Sequence, residues 1–200
     1  MGETVTLSAD SRGFSRITID RPDRKNAFDA PLIADLTAAV GRVDRSARAV
    51  VLQSEGDTFC AGADIAVAST DATFAFTETR LGILPAVVSP YVVRKIGPAR
   101  ATALFVTGSR IEAKRALEIG LVERLVEPSD LDAAVSRVLD AILSGGPKAV
   151  NAAKRLVREV EGRPIDEVAD LTVKRIADIR VSQEGQEGLR AFLERRDPRW

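Results

Sequence analysis

The amino-acid sequence predicts an α/β protein with a β-rich first half and a helical tail. Two short runs of alternating apolar residues, 5–7 and 14–19, are separated by a segment that contains Asp10 and Gly13, which is typical of a β-hairpin. A helical pattern follows, and the continuous apolar run 49–52 after it is typical of a buried strand. This alternation of strand and helix favours parallel pairing.

The first helix is predicted to begin after Asp29, which is a suitable N-cap, with Pro31 tolerated in the first turn. Its apolar residues recur at spacings of three and four and form one face of an amphipathic helix. These residues are Ile33, Leu36, Ala39, Val40 and Val43. The strand over residues 49–52 is expected to be buried on both faces, because its run is apolar without interruption.

A second strand-like run, residues 65–68, follows the first after only a tight loop. Parallel strands need a crossover of about a dozen residues or more, usually with a helix, and the ten residues between Ser54 and Ile65 are too few. Either the two strands pair antiparallel or a crossover is absent from this chain. We expect the second, with Ser54 and Ile65 separated in space by a break or an unnatural loop.

Beyond Ser69 the pattern becomes helical. Apolar spacing, interrupted by Gly and Pro, predicts helices over residues 90–96, 99–107, 112–119 and 131–142, a short strand over 121–126, and two or three more helices between 147 and 196. We therefore divide the chain into a core over residues 1–126 and a helical region over residues 127–200.

Composition excludes several classes of protein. The 200 residues carry 29 basic and 29 acidic side chains, so the chain lacks the basic excess of nucleic-acid-binding and membrane-surface proteins. It contains no His and one Cys, Cys60, which excludes His-dependent nucleophile relays and His-ligated metal sites. A lone Cys fits a reducing compartment, and neither a signal-peptide pattern nor a membrane-spanning apolar run is present. We expect a cytoplasmic protein whose acid–base chemistry depends on carboxylates, Lys, Tyr91 or backbone amides.

Four stretches, in this order, resemble motifs of the crotonase family, the enoyl-CoA hydratase and isomerase superfamily. They are Arg21-Pro22 with Asn26-Ala27, residues 59–64 (FCAGAD), residues 74–82 (FAFTETRLG) and residues 108–121 (GSRIEAKRALEIGL). The ending 191–198 is similar to the family's C-terminus, and residues 83–93 (ILPAVVSPYVV) are most similar to the methylglutaconyl-CoA-hydratase-like branch. The resemblance covers nearly the whole chain. It implies a crotonase-like spiral of ββα units followed by a C-terminal helical region.

The same resemblance accounts for the missing crossover. In the family, a mobile loop, a helix, another strand and a Gly-rich turn separate the AGAD loop from a strand that is similar to residues 62–69. Both flanks contain a similar Ala-Asp pair, so Ala63-Asp64 fits either side. Relative to a full-length member, about fifty residues are therefore lacking near Ala63 to Ile65.

The resemblance also assigns chemistry to individual residues. Glu78 matches the catalytic Glu that moves a proton at the α-carbon of an acyl-CoA thioester, and the Ala63 backbone N–H matches one of two oxyanion-hole donors. The second donor and the second Glu of the best-known hydratases belong to the segment that is lacking. A carboxyl group works as a general acid or base near neutral pH in an apolar setting. The neighbours that provide such a setting are Phe74, Phe76, Leu81 and Ile83.

Substrate-binding residues are implied in the same way. The cationic pair Arg24 and Lys25 is expected beside the phosphates of CoA. The other expected contacts of the substrate are Ala61, Gly62, Asp64, Ile65 and Pro85.

The implied function is that of an enoyl-CoA hydratase, a lyase that adds water to the double bond of a 2-enoyl-CoA thioester. Two alternatives stay open: a double-bond isomerase that uses one Glu, and a non-catalytic acyl-CoA-binding or scaffold member. No metal, nucleic acid or separate cofactor is expected, since CoA is part of the substrate. Apolar residues of the tail predict a homotrimer or a dimer of trimers, and they are Leu156, Val157, Val160, Val168, Leu171, Ile176 and Ile179.

Overall fold

The computed structural model describes residues 4–21, 26, 30–55 and 65–200. Its strands are β1 (Val5–Asp10), β2 (Phe14–Ile19), β3 (Ala49–Ser54), β4 (Val67–Ser69), β5 (Thr73–Phe74), β6 (Ile111–Glu112) and β7 (Arg124–Val126). Its helices are α1 (Ala30–Gly41), α2 (Ser89–Ile96), α3 (Pro98–Thr107), α4 (Ala113–Glu118), α5 (Leu131–Ser144), α6 (Pro147–Val160), α7 (Ile165–Val181) and α8 (Gln183–Glu194). Within the described residues, two 3-10 turns cover Glu78–Leu81 and Pro128–Asp130. In these residues no helix has the length and apolar content needed to cross a bilayer.

The first sheet has the order β1-β2-β3 and confirms the predicted pairings. Strands β1 and β2 form an antiparallel hairpin, whereas β2 and β3 are parallel. The hairpin turn closes with a 3.0 Å bond from the Gly13 N–H to the Asp10 carbonyl. Gly13 has a φ of +89°, which a residue without a Cβ adopts at little cost.

Helix α1 covers this sheet, but its buried stripe differs from the predicted one. Leu32 and Ala39 are fully buried and pack with Val5, Ile17 and Ile19. The expectation that Val40 lies on this face is wrong, because its side chain is 60% exposed. The helical period places Leu32, not Val40, in line with Ala39.

The expectation that β3 is buried on both faces is also wrong. Val50 and Leu52 are 50% and 37% exposed, and they alternate with less exposed neighbours. Strand β3 lies at the edge of its sheet, so it has a paired strand on one side only. Alternate side chains point to opposite faces, and the face with Val50 and Leu52 is the less covered one.

Strands β3 and β4 belong to different sheets, so the antiparallel alternative does not occur. Strand β4 pairs in parallel with β7, and Val67 lies opposite Arg124. The predicted break between Ser54 and Ile65 falls on residues 56–64, which lie outside the described residues.

Helices α2, α3 and α4 pack with β4 around a second core. Its fully buried members include Val92, Ala116 and Leu121. Gly97 separates α2 from α3 with a φ of +79°, as the Gly-Pro pair predicts. The short antiparallel pair β5–β6 was not predicted, because two residues are too few to show an alternating pattern.

The chain divides into two compact units, Met1–Arg137 and Val138–Trp200. The predicted division between residues 126 and 127 stays a prediction. Within the second unit, the Glu184 carboxylate accepts the N–H groups of Lys148 and Ala149 at 3.0 and 2.8 Å. This side chain from α8 therefore satisfies two amides in the first turn of α6, which have no partner within their own helix.

Candidate active site

Glu78 begins the 3-10 turn Glu78–Leu81, which we call the Glu78 turn. The Ile83 N–H donates to the Glu78 carbonyl and the Gly82 N–H to the Thr79 carbonyl, each at 3.2 Å. Gly82 ends the turn in the left-handed region, with a φ of +73°. Gly adopts this conformation readily, so the Leu-Gly pair of the motif fixes where the turn stops.

The Glu78 side chain is half-buried. Among the described residues its carboxylate has no hydrogen-bond or ion-pair partner, and it is the only acidic group between residues 72 and 92. A carboxylate without an ion-pair partner is open to contact with a substrate. This arrangement suits a general acid–base group better than a structural ion pair.

The apolar setting expected around Glu78 is only partly present. Phe76 is buried and Phe74 is half-buried, as the sequence predicts. Leu81 and Ile83 are 75% and 60% exposed, so they do not enclose the carboxylate within the described residues. They form instead an exposed apolar surface, which we call the apolar segment. The other exposed members of this segment are Leu84, Val87 and Tyr91.

Helix α3 contacts the segment around Glu78 through Phe105. The Phe76 ring meets the Phe105 ring edge-on, with centroids 5.0 Å apart and an interplanar angle of 76°. The Thr79 hydroxyl donates to the Phe105 carbonyl oxygen at 2.9 Å. These two contacts lie on either side of Glu78 in the sequence.

Most of the predicted oxyanion and CoA-binding residues fall outside the described residues. They are Arg24, Lys25, Ala61, Gly62, Ala63 and Asp64. Ile65 is exposed, and Pro85 is buried. Glu78 and Pro85 lie seven positions apart in one stretch of chain, and the oxyanion loop stays a prediction.

Glu123 is a residue near the site that sequence reasoning missed. Its carboxylate accepts the Ala66 N–H and also lies 3.0 Å from Nζ of Lys95. The Glu123 N–H returns a 2.9 Å bond to the Ala66 carbonyl. No pattern in the sequence marks this pairing, since 57 positions separate the two residues.

A surface groove of roughly 620 Å³ lies elsewhere, on α7 and α8. Its lining residues are Arg180, Gln186, Leu189, Arg190, Phe192 and Leu193. The predicted site residues that the structure describes, Ile65, Glu78 and Pro85, are not among them.

Comparison with known families supports the resemblance. The chain matches the model of the family described as enoyl-CoA hydratase/isomerase over residues 10–66 and 63–200. A probable enoyl-CoA hydratase of Rhodobacter capsulatus is 27% identical, with 94% of each chain covered. A carnitinyl-CoA dehydratase of Salmonella heidelberg is 31% identical over 69% of this chain and 55% of its own length. The chain spans about half the length of several curated relatives in such matches.

The fold is similar to solved structures of the same kind. The crystal structure of an enoyl-CoA hydratase from Shewanella pealeana superimposes with a TM-score of 0.87 at 29% identity, covering 98% of this chain and 96% of the other. This likeness confirms the predicted fold class, a crotonase-like α/β core with a helical C-terminus.

The matches also bear on the predicted internal gap. The two segments that match the family overlap at residues 63–66, so both matches include the Ala63-Asp64 pair. The alignment with the Rhodobacter relative has 243 positions but includes only 94% of this 200-residue chain, about 188 residues, so about 55 of its positions have no counterpart here. Both findings are expected if one internal stretch of the family is lacking here. The resemblance to the methylglutaconyl-CoA branch stays a prediction.

Proposed function

The chain belongs to the enoyl-CoA hydratase/isomerase family, and we propose that it acts as an enoyl-CoA hydratase. In this reaction the oxygen of water bonds to the β-carbon of a 2-enoyl thioester, and a proton is delivered to the α-carbon. One proton of the water leaves the new hydroxyl group, so the product is a 3-hydroxyacyl thioester. CoA enters and leaves as part of the substrate, and the proposal requires no separate cofactor.

One observation carries the proposal: the half-buried carboxylate of Glu78 has no partner among the described residues and is followed directly by the apolar segment. An acyl chain laid against Leu81 and Ile83 removes apolar surface from water, which is favourable at about 25 cal/mol per Å². The same contact shields the carboxylate from solvent and strengthens its interaction with the reacting carbons. We assign Glu78 the proton transfer at the α-carbon.

Negative charge develops on the thioester oxygen when water adds to the β-carbon or when the α-carbon is deprotonated. The resemblance assigns the Ala63 N–H as one donor to that oxygen, and small side chains at Ala61 and Gly62 permit close approach of the backbone. One donor of this kind is worth about 3–4 kcal/mol in a water-excluded site. The cationic side chains of Arg24 and Lys25 are proposed to form ion pairs with the phosphates of CoA.

The remaining proposed substrate contacts flank this chemistry. Asp64 and Ile65 follow the oxyanion donor, and the exposed Ile65 side chain is open to a ligand. Pro85 is buried, and its carbonyl accepts the Ser89 N–H at 3.0 Å. It therefore fixes the course of the apolar segment, on which the acyl chain would lie.

A double-bond isomerase is the second candidate, and one observation favours it. Glu78 is the only carboxylate between residues 72 and 92, and a single carboxylate suffices to move a proton from one carbon to another. Hydration is commonly assisted by a second group that holds the water. The two candidates therefore differ in whether oxygen is added.

The experiment that decides between them gives the 200-residue chain crotonyl-CoA, and separately a 3-enoyl-CoA, and analyses the products by mass spectrometry in H₂¹⁸O. A hydratase converts crotonyl-CoA into a product that is heavier by one water and carries ¹⁸O. An isomerase converts the 3-enoyl-CoA into the 2-enoyl-CoA without incorporating ¹⁸O. If neither substrate reacts and acyl-CoA still binds, the chain is a non-catalytic acyl-CoA-binding member and the proposal is wrong.

A further inference from the structure

We propose that Thr79 is a positioning residue, whose hydroxyl fixes the Glu78 turn against helix α3; this rests on the proposed function of Glu78. The hydroxyl donates to the Phe105 carbonyl oxygen at 2.9 Å. Thr79 directly follows Glu78, so the bond holds the backbone on which the catalytic carboxylate is mounted.

The acceptor is a carbonyl that helix α3 itself leaves without a donor. The last four carbonyls of an α-helix have no partner within the helix. In α3, which ends at Thr107, the Leu104 carbonyl accepts the Gly108 N–H at 2.9 Å, and the Phe105 carbonyl accepts the Thr79 hydroxyl. The Thr79 bond thus completes the helix end and ties it to the Glu78 turn.

Two further contacts hold the same turn at the same helix end. Phe76 lies two residues before Glu78, and its ring packs edge-on against the Phe105 ring. The Arg80 side chain crosses Gly108, where a Cβ would lie 3.0 Å from the Arg80 Nε. Glu78 therefore lies between residues Phe76, Thr79 and Arg80, which all contact the C-terminal end of α3.

The carboxylate depends on these anchors because it has no partner of its own among the described residues. Its position follows from the backbone of the turn and not from a bond to its oxygens. A displacement of about 1 Å in a catalytic group can cost as much as 100-fold in rate. A bond one residue away therefore affects turnover while leaving binding of the substrate nearly unchanged.

The test replaces the Thr79 hydroxyl without changing its shape. Thr79→Val removes the donor and keeps the volume, and Thr79 is exposed, so no cavity is created. We expect kcat to fall about tenfold with KM within about twofold, and Thr79→Ser to restore kcat to within about twofold. The matched control is Thr37→Val, which removes another exposed hydroxyl that donates to a helical carbonyl, that of Ile33, at 2.7 Å. This control is expected to leave kcat unchanged.

The Glu78→Gln background separates positioning from general stability. If Thr79 acts through the Glu78 carboxylate, Thr79→Val has no further effect on turnover once Glu78 is Gln. An equal loss in both backgrounds, or a wild-type kcat in Thr79→Val, overturns the positioning role and leaves the proposed function intact. Full activity of Glu78→Gln, or a wild-type chain without turnover, overturns the proposed function and this role with it.

Discussion

Glu123 and Ala66 are joined by two hydrogen bonds in opposite directions. The Glu123 N–H donates to the Ala66 carbonyl at 2.9 Å, and the Glu123 carboxylate accepts the Ala66 N–H. The same carboxylate lies 3.0 Å from Nζ of Lys95 on α2. Glu123 therefore connects Ala66, the residue before β4, to β7 and to α2. Ala66 lies just after the predicted oxyanion loop.

Replacing this side chain should destabilise the first unit. Glu123→Ala removes the acceptor of the Ala66 N–H and the ion pair with Lys95, and we expect the free energy of unfolding to fall by about 1 kcal/mol. Urea denaturation measures this change. Glu112→Ala is the matched control, because Glu112 is exposed and has no side-chain bond in the described part of the chain. Equal midpoints for the two variants would contradict the role of Glu123.

Acid should weaken the C-terminal segment through one carboxylate. Side-chain bonds from Arg196 at 2.7 and 3.1 Å, then the Arg199 N–H at 2.9 Å, lower the pKa of Glu187 from 4.5 to about 2. Because the folded pKa is depressed, the stabilisation is complete above about pH 4.5 and is lost as the pH falls toward 2.

Thermal unfolding of wild type and Glu187→Gln between pH 6 and pH 2 tests this expectation. Wild type should unfold at the higher temperature near pH 6, and the two curves should converge as the pH approaches 2. A constant difference between the two proteins across this range would show that the Glu187 charge does not contribute in this way.

The hydrogen bonds that the Glu184 carboxylate accepts from α6 require a residue without a side chain at position 146. A Cβ at Gly146 would clash with the Glu184 Oε1, so Gly146→Ala must displace the carboxylate from the Lys148 and Ala149 amides. Loss of such a cap costs about 0.5–2 kcal/mol of stability. Calorimetry should show a lower Tm for Gly146→Ala and no decrease for Gly41→Ala, where nothing lies within 4 Å of a built Cβ. Equal decreases for both variants would argue against the cap.

The second unit should self-associate, as the tail residues predict. Phe192 and Leu193 at the end of α8 are 81% and 80% exposed, and Val157 and Ile176 are exposed as well, whereas Val168 is buried. Large exposed apolar patches mark interaction sites, and we expect these side chains to contribute to one. Light scattering at micromolar concentration should give three or six times the 21.5 kDa of one chain.

A matched pair of variants tests whether this surface causes the self-association. Phe192→Asp should shift the mass toward that of one chain, while Arg158→Asp, an exposed change on the neighbouring helix α6, should not. A wild-type mass of one chain at micromolar concentration would refute self-association.

Local patterns predicted the fold well where an element repeats its period several times. The hairpin, the parallel β2–β3 pair and the helices after residue 89 are of this kind. The exposure of Val50 was not predicted, because a sequence does not show which face of a strand lacks a covering layer. The pairing of Glu123 with Ala66 was not predicted either, since contacts between distant residues depend on the tertiary fold.

The candidate site, too, is predicted only in part by the sequence. The resemblance of the motif around Glu78 predicts a catalytic role for this residue, which stays a proposal, and the turn that carries it is short and ends at Gly82. The support from Phe105 was not predicted, because it depends on where α3 ends in space and which of its carbonyls lacks a donor. Sequence patterns name the reacting group more readily than the groups that hold it in place.

The central claim is that Glu78 transfers a proton to or from an acyl-CoA, and Glu78→Gln tests it most directly. Gln keeps the shape and removes the titrating proton. With crotonyl-CoA, kcat should fall at least about 100-fold, the lower range for loss of a general acid–base group. Affinity for a non-reactive acyl-CoA, measured by calorimetry, should change by less than about threefold, because we assign the binding of the thioester to backbone amides and not to Glu78. Equal turnover of wild type and Glu78→Gln would contradict the claim, and joint loss of turnover and binding would make Glu78 a structural residue.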